Sequence, residues 1–394
     1  MPVSRKRKKS AKSTAAVRAE RRRAHTRQVR LAQSLAEIVA GQEQGQAMRL
    51  ELAHPHAVAL AAELMTTPKT GTALEDELCA RLGPLLAGLA ELPLDAYVGP
   101  DHLTDALAGV LLDAGDDEAA RRVLAALAAI LPSTALDRTG LDAPDPQVAG
   151  EVRWTRDRWG SRFAVLAPFA TPEGPVRWYL WDIDACAFVP VAVHAGFYAS
   201  PEEALAAWQV GVGAFAAGGT SWRRIDDFGL LLDLLPKPDE VSALGGESAE
   251  QFTEYHRCRR LAEAVLDLPP VLTMNVPETA LDLGPERFVT WWRTRAEGPE
   301  PANLKALTEE MFDSWPILAR ALFDTCSPHR VESVSHQIRE EYREDADELL
   351  ALLPAWVTWL SERTGLPAEL RERALARTGG ATTTENDLMR RVVE

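Results

Sequence analysis

The sequence predicts an α+β fold: a helix-rich, multidomain protein with a small three-stranded antiparallel sheet and a helix lying on it. Three observations carry this. Leu, Ala and Val recur three and four positions apart over most of the chain, the period of a helix with one buried face. Between residues 151 and 216 the period shortens to that of strands. Tyr97 is the sole aromatic residue before Gly150, whereas all eleven Trp follow it, so the two parts pack with different chemistry.

With 394 residues the chain has length for two or three cores, and 46% hydrophobic with 26% charged residues are globular proportions that exclude wholesale disorder. Charge is unevenly placed. The first thirty residues hold twelve Lys or Arg against the single acid Glu20, a charge of +11 in a chain of net −15, so residues 31–394 carry −26. Residues 1–30 therefore read as a basic flexible tail. Arg5, Lys6, Arg7, Lys8, Lys9, Lys12, Arg18, Arg21, Arg22, Arg23, Arg27 and Arg30 are its candidate nucleic-acid-binding residues, attracting phosphate by charge and counterion release. The tail has no aromatic platform for base stacking, so it licenses attraction to DNA or RNA without sequence recognition.

Residues 31–133 read as an N-terminal helical domain. "MRLELAHPHAVALAAELM" and "ALEDELCARLGPLLAGL" form amphipathic segments, and Pro55 is expected to begin or break a helix because it lacks the amide donor. In "GPDHLTDALAGVLLDAGDDEAARRVLAALAAILP" Asp101 is expected to cap the first helix and "DAGDD" to turn the chain before the second. Residues 134–150, rich in Pro, Gly and Asp, read as a linker.

Residues 151–235 read as a small α+β domain. "SRFAVLAPFA", "PVRWYLWDI" and "AFVPVAV" are its three expected strands, and "SPEEALAAWQVGVGAF" is the helix after them. Ser200, Pro201 and Glu203 have capping-box spacing, and Trp208 is expected on the face that covers the sheet. Residues 236–249 form a second expected linker, 250–378 a C-terminal helical domain, and 379–394 a tail. Trp356 and Trp359, three apart among leucines, belong to that last domain's core.

The segment "SPHRVESVSHQIREEYREDADELLALLPAWVTWLSERTGL", residues 327–366, resembles a helical region of uncharacterised actinobacterial proteins. "SPHRVE", "LLPAWVTWL" and "ERTGL" carry the resemblance; the hydrophobic stretch usual after Arg-Val-Glu is here the more polar "SVSHQIREEY". It implies helices and brings no function or catalytic set.

Local chemistry is sparse. His54 and His56 flank Pro55 without further ligands nearby, and Cys79, Cys186, Cys258 and Cys326 are far apart, as in reduced buried thiols, so no metal site and no cofactor are expected. Asp182 and Asp184 alternate along "WDIDACAF", a pattern that suits a hairpin turn or solvated edge better than a carboxylate pair. Arg257, Arg259 and Arg260 in "EYHRCRR" offer an anion-binding or interface patch, with His256 as a proton donor or acceptor beside them. Trp291 and Trp292, adjacent in "VTWWRTR", cannot share one narrow helical stripe, so one is expected to pack and the other to border an interface.

No 18-residue apolar span and no secretory leader pattern are evident, which makes a cytoplasmic location the default expectation. The functional expectation is a soluble binding or protein-interaction protein whose tail contacts DNA or RNA. One alternative is an enzyme with a site assembled from distant segments; another is a structural subunit with a protein partner or as a homo-oligomer.

Overall fold

The computed structural model describes residues 42–90, 98–171, 174–186, 190–225, 228–236, 252–267, 284–295, 299–315, 325–341 and 346–379. The expected basic tail 1–30 and nearly all of the linker 236–249 and of the tail 379–394 lie outside these.

Five helices open the described chain: α1 (Gln42–Thr66), α2 (Gly71–Ala90), α3 (Pro100–Asp113), α4 (Glu118–Ile130) and α5 (Ser133–Thr139). Ala53, Ala57, Leu60, Ala61 and Leu64 form the buried stripe of α1, and they share a core with leucines of α2, α3 and α4. The α1 helix runs unbroken through Pro55, contrary to expectation. Pro55 and Glu51, whose carbonyl loses its donor, are both exposed, so the face that loses the bond is open to solvent while the opposite stripe stays packed. Asp101 does not cap α3 either; Gly99 is the N-cap and Asp101 sits in the first turn beside Pro100. Asp117 does cap α4, accepting from the amides of Ala119 at 2.7 Å and Ala120 at 3.1 Å. The expected linker begins with a helix, because Ala135 and Leu136 of α5 bury against this core.

The sheet has five antiparallel strands, two more than expected, in the order β4-β3-β2-β1-β5. They are β1 (Arg153–Arg156), β2 (Arg162–Thr171), β3 (Gly174–Asp184), β4 (Val191–Tyr198) and β5 (Arg223–Arg224). The additions, β1 and β5, span four and two residues, too short to display alternation. Strand β4 is described from Val191, and the first three residues of the segment expected to form it, 187–189, lie outside the described residues.

Helix α6 (Pro201–Val212) covers one sheet face and buries Trp208 there, with Ser200 accepting from the Glu203 amide and Glu203 from the Ala199 amide. Helices α7 (Phe228–Leu234) and α8 (Tyr255–Leu266) cover the other face. The first eight residues of β2 are consequently buried on both sides.

Helix α8 joins two cores. Tyr255, with Phe252 before it, packs on the N-terminal helices, whereas Cys258, Leu261, Ala262 and Val265 pack on the sheet. Polar contacts run across the same junction: Tyr179 Oη donates to Glu254 at 2.8 Å, Arg257 Nε donates to Glu254 at 2.7 Å, and Arg257 and Arg177 both reach Asp76 on α2.

Helices α9 (Pro285–Arg295), α10 (Leu304–Ser314), α11 (Pro328–Glu341) and α12 (Ala346–Thr364) build a further core on Trp315, Trp356 and Trp359. Helix α13 (Ala368–Leu375) places Ala374 in that core and Leu370 against the α6 side of the sheet. Among the described residues no helix is long and apolar enough to cross a membrane.

Glu254 carries the cleanest stability test. Removing one partner of a buried ion pair strands the other charge, at about 3–5 kcal/mol. Glu254→Ala is expected to lower the urea unfolding free energy by about 3 kcal/mol, and a loss below about 1 kcal/mol would show that Asp76 alone suffices for Arg257.

Candidate functional site

The β1–β2 turn, "DRWGS", builds one wall of a cavity at the end of the sheet. Asp157 accepts from the amides of Ser161 at 2.7 Å and Arg162 at 3.0 Å, and from the Ser161 hydroxyl at 3.3 Å. Gly160 closes the turn at φ 72°, a left-handed conformation that a side chain would strain. Trp159 then donates its indole N–H to the Leu370 carbonyl at 3.3 Å, tying the turn to α13.

Register sets the next layer. Arg162 lies opposite Asp184 and Ala164 opposite Asp182, so Arg162, Asp182 and Asp184 share one sheet face. Arg162 donates through Nε and Nη2 to the two oxygens of Asp182, the second bond 2.8 Å long. Trp208 on α6 donates to the same carboxylate at 3.1 Å. Asp182 is 4% exposed and Asp184 8%, so the pair is interior rather than the expected turn or solvated edge. What displaces water from them is the guanidinium opposite and the indole above.

Asp184 Oδ1 accepts from the Cys186 amide at 2.8 Å, which bends the chain as β3 ends and brings Cys186 Sγ alongside. The third member comes from α11. Ser327 caps that helix, its hydroxyl accepting from the Arg330 amide at 3.1 Å; Pro328 follows in the first turn, and His329 comes next. Cys186 Sγ and Ser327 Oγ lie 3.1 Å apart.

The result is a cluster of one carboxylate oxygen, one thiol sulfur and one imidazole nitrogen, all within 4.8 Å of one another. His329 Nδ1 is 3.7 Å from Asp184 Oδ2, too far for a hydrogen bond, and neither ring nitrogen of His329 has a hydrogen-bond partner among the described residues. The three residues line a cavity of about 60 Å³ together with Asp157, Arg162 and Glu332. Glu332 is ion-paired with Arg377 at 3.5 Å across its rim.

Electrostatics separate two kinds of chemistry. Burial, and after it the Asp184 carboxylate, hold the Cys186 thiol well above its ordinary range. A free thiolate nucleophile is therefore disfavoured, whereas a bound cation would deprotonate the thiol outright. Burial also lifts Asp157 to about 6, against the opposing pull of its three hydrogen bonds.

The other sequence candidates lie elsewhere. The tail residues from Arg5 to Arg30 are outside the described residues. Arg257, Arg259 and Arg260 are 5%, 3% and 4% exposed rather than a surface patch. Glu254 and Asp76 hold Arg257; Arg259 stacks over Tyr255 at 4.2 Å; Arg260 donates to the Pro144 carbonyl and to Asp145. His256 beside them is 2% exposed and burial pulls it down to about 4, which leaves it neutral at physiological pH. Both Trp291 and Trp292 pack, since Phe288 lies three and four residues before them and meets one ring at 5.6 Å and the other at 5.9 Å. His54 and His56 stand exposed on α1. All four cysteines are unpaired and buried.

Sequence reasoning weighed Asp184 and Cys186 separately and missed His329. The available signals were the Asp-x-Cys spacing at a strand end and the Ser-Pro-His helix start. Comparison with family models, curated proteins and solved structures finds no match for this chain.

Asp157 gives a pH test. An unfolded Asp titrates near 4, so between about pH 4 and 6 the folded state keeps a proton that the unfolded state has lost. Its contribution to stability is full below about pH 4 and fades as pH rises to about 6, by about 3 kcal/mol at about 1.4 kcal/mol per pKa unit. Asp157→Asn keeps an oxygen for the two amides and is expected to flatten this segment of the stability profile. Parallel profiles for the variant and the parent protein between pH 4 and 6.5 would refute the assignment.

Proposed function

We propose that the chain is a metal-dependent protein that holds a zinc-class divalent ion on Asp184, Cys186 and His329, with the fourth coordination position open. The carrying observation is the convergence of three different ligand types from two distant segments on one cavity, with neither ring nitrogen of His329 hydrogen-bonded among the described residues. Ligands about 2.0–2.3 Å from a tetrahedral ion stand about 3.3–3.8 Å apart. The 3.7 Å between His329 Nδ1 and Asp184 Oδ2 is close to that spacing, and Cys186 Sγ lies within 4.8 Å of both.

Three protein ligands with one position left for water or substrate are the arrangement of catalytic rather than purely structural zinc. This favours an enzyme whose site is assembled from distant segments. We place it in the cytoplasm, where a ligating thiol stays reduced.

Cobalt(II) provides a direct assay, because a thiolate ligand adds an intense near-ultraviolet charge-transfer band to the visible bands of a tetrahedral ion. The full chain is expected to bind one Co²⁺, with both features present and Zn²⁺ displacing it. Cys186→Ser is expected to abolish the charge-transfer band, and His329→Ala to weaken binding at least tenfold. A parent protein that binds no Co²⁺ or Zn²⁺ would end this reading.

A second reading concerns the tail and rests on its charge of +11 in a chain of −15. Residues 1–30 supply salt-dependent attraction to DNA or RNA as a function separate from the cavity. Deleting them is expected to remove most oligonucleotide binding at low salt; equal binding by both forms across a salt series would reject it.

A further inference from the structure

Arg162 has donors left over. Its Nε and Nη2 are spent on Asp182, yet among the described residues Nη1 has no hydrogen-bond partner, in a side chain only 9% exposed. That nitrogen lies 3.9 Å from Asp184 Oδ2, beyond hydrogen-bond reach but next to one of the three ligand atoms. A buried guanidinium N–H left without an acceptor is a costly group, and such groups call for a partner that completes them. Arg162 lines the same cavity as Asp184, Cys186 and His329.

Size narrows the partner. At about 60 Å³ the cavity holds a few waters, far below the roughly 300–1,000 Å³ of a pocket for a drug-sized ligand. Only a group of a few heavy atoms enters. Charge narrows it further. A dication with the Asp184 carboxylate and the Cys186 thiolate is locally neutral, Asp182 balances Arg162 and Glu332 balances Arg377, which leaves Asp157 as the one further acid among the described residues of the lining. Net charge therefore does not draw in an anion; what the site offers is a ligation position and an oriented N–H beside it. A planar group with two oxygens fits both, and a guanidinium N–H bonds best to a charged oxygen.

Resting on the metal reading above, we propose that the cavity binds a small planar oxyanion of the carboxylate or carbonate class, with one oxygen on the metal and a second accepting from Arg162 Nη1. The ligand is either a free small anion or the carboxylate end of a molecule whose remainder lies outside the cavity.

The test uses the full-length protein loaded with Co²⁺ and follows its visible bands during titration with bicarbonate, acetate, propionate and the neutral isostere acetamide. Acetate and bicarbonate are expected to shift the bands saturably, and acetamide to bind at least tenfold more weakly. Tighter binding of propionate than acetate identifies the carboxylate end of a larger molecule; tighter binding of bicarbonate identifies the free anion. Arg162→Lys is expected to weaken anion binding at least tenfold while Co²⁺ affinity changes less than threefold, and Arg224→Gln, on an exposed strand, to alter neither.

Because Arg162 is part of the core, a second measurement needs no variant. The ¹³C relaxation of labelled bicarbonate is expected to accelerate strongly with the Co²⁺ protein and not with the Zn²⁺ protein. Spectra unchanged by either anion, acetamide binding as tightly as acetate, or equal relaxation with both metals would each overturn the proposal. Failure of Co²⁺ to bind at all would instead remove the metal reading beneath it.

Discussion

The buried pair of Arg162 and Asp182 is the constraint on which this end of the molecule depends. Desolvating a guanidinium and a carboxylate is costly, and only near-complete satisfaction offsets it. Here the offset comes from two parallel hydrogen bonds, the Trp208 indole and the layer of α6 that excludes water. The pair locks β2 against β3 in one register, because a slip by one residue would turn Arg162 to the opposite face. Once that register is set, Asp184 must emerge beside Arg162, and its bond to the Cys186 amide places the thiol next to it.

The second constraint is the junction between the end of the sheet and the start of α11. Ser327 serves both sides: it caps the helix through the Arg330 amide and lies against Cys186. The cap fixes the helix entry, and the entry fixes where His329 stands. Behind α11 the tryptophan-rich core holds the helix through Val331, Val334 and Ile338. The cavity is thus walled by the sheet end, the β1–β2 turn and the start of α11, and the hydrogen bonds and packing of those elements set the places of the three ligand residues. Among the described residues, Arg162 Nη1 and the two ring nitrogens of His329 are the buried polar side-chain atoms lining this cavity that have no hydrogen-bond partner.

Much of the architecture was legible because it follows from local period. The α1, α3 and α4 stripes, the capping box at Ser200, Trp208 on the sheet and Trp356 with Trp359 in a core all lie within a few residues of the pattern that predicts them. The short strands β1 and β5 were not legible, since two to four residues carry no period; β1 is held by its pairing with β2, and β5 by its pairing with β1. Pro55 misled because packing of the opposite stripe outweighs one lost hydrogen bond on an exposed face. The arginines of α8 misled for a different reason: three charges in four residues read as surface, but all three are buried, where Glu254 and the Tyr255 ring meet two of them and the more exposed Asp76 and Asp145 reach in from the edge. The site itself was half visible. Asp184 and Cys186 were on the page as neighbours, but His329 comes from 143 residues further along, and no local rule brings the two segments together.

The central claim is that Asp184, Cys186 and His329 ligate one ion. X-ray absorption at the zinc edge of the full chain reconstituted with one equivalent of Zn²⁺ tests it most directly. The account predicts one sulfur at about 2.3 Å and the remaining nitrogen and oxygen ligands at about 2.0–2.2 Å. A first shell made only of oxygen at hydrated-ion distances, with no sulfur, would contradict it.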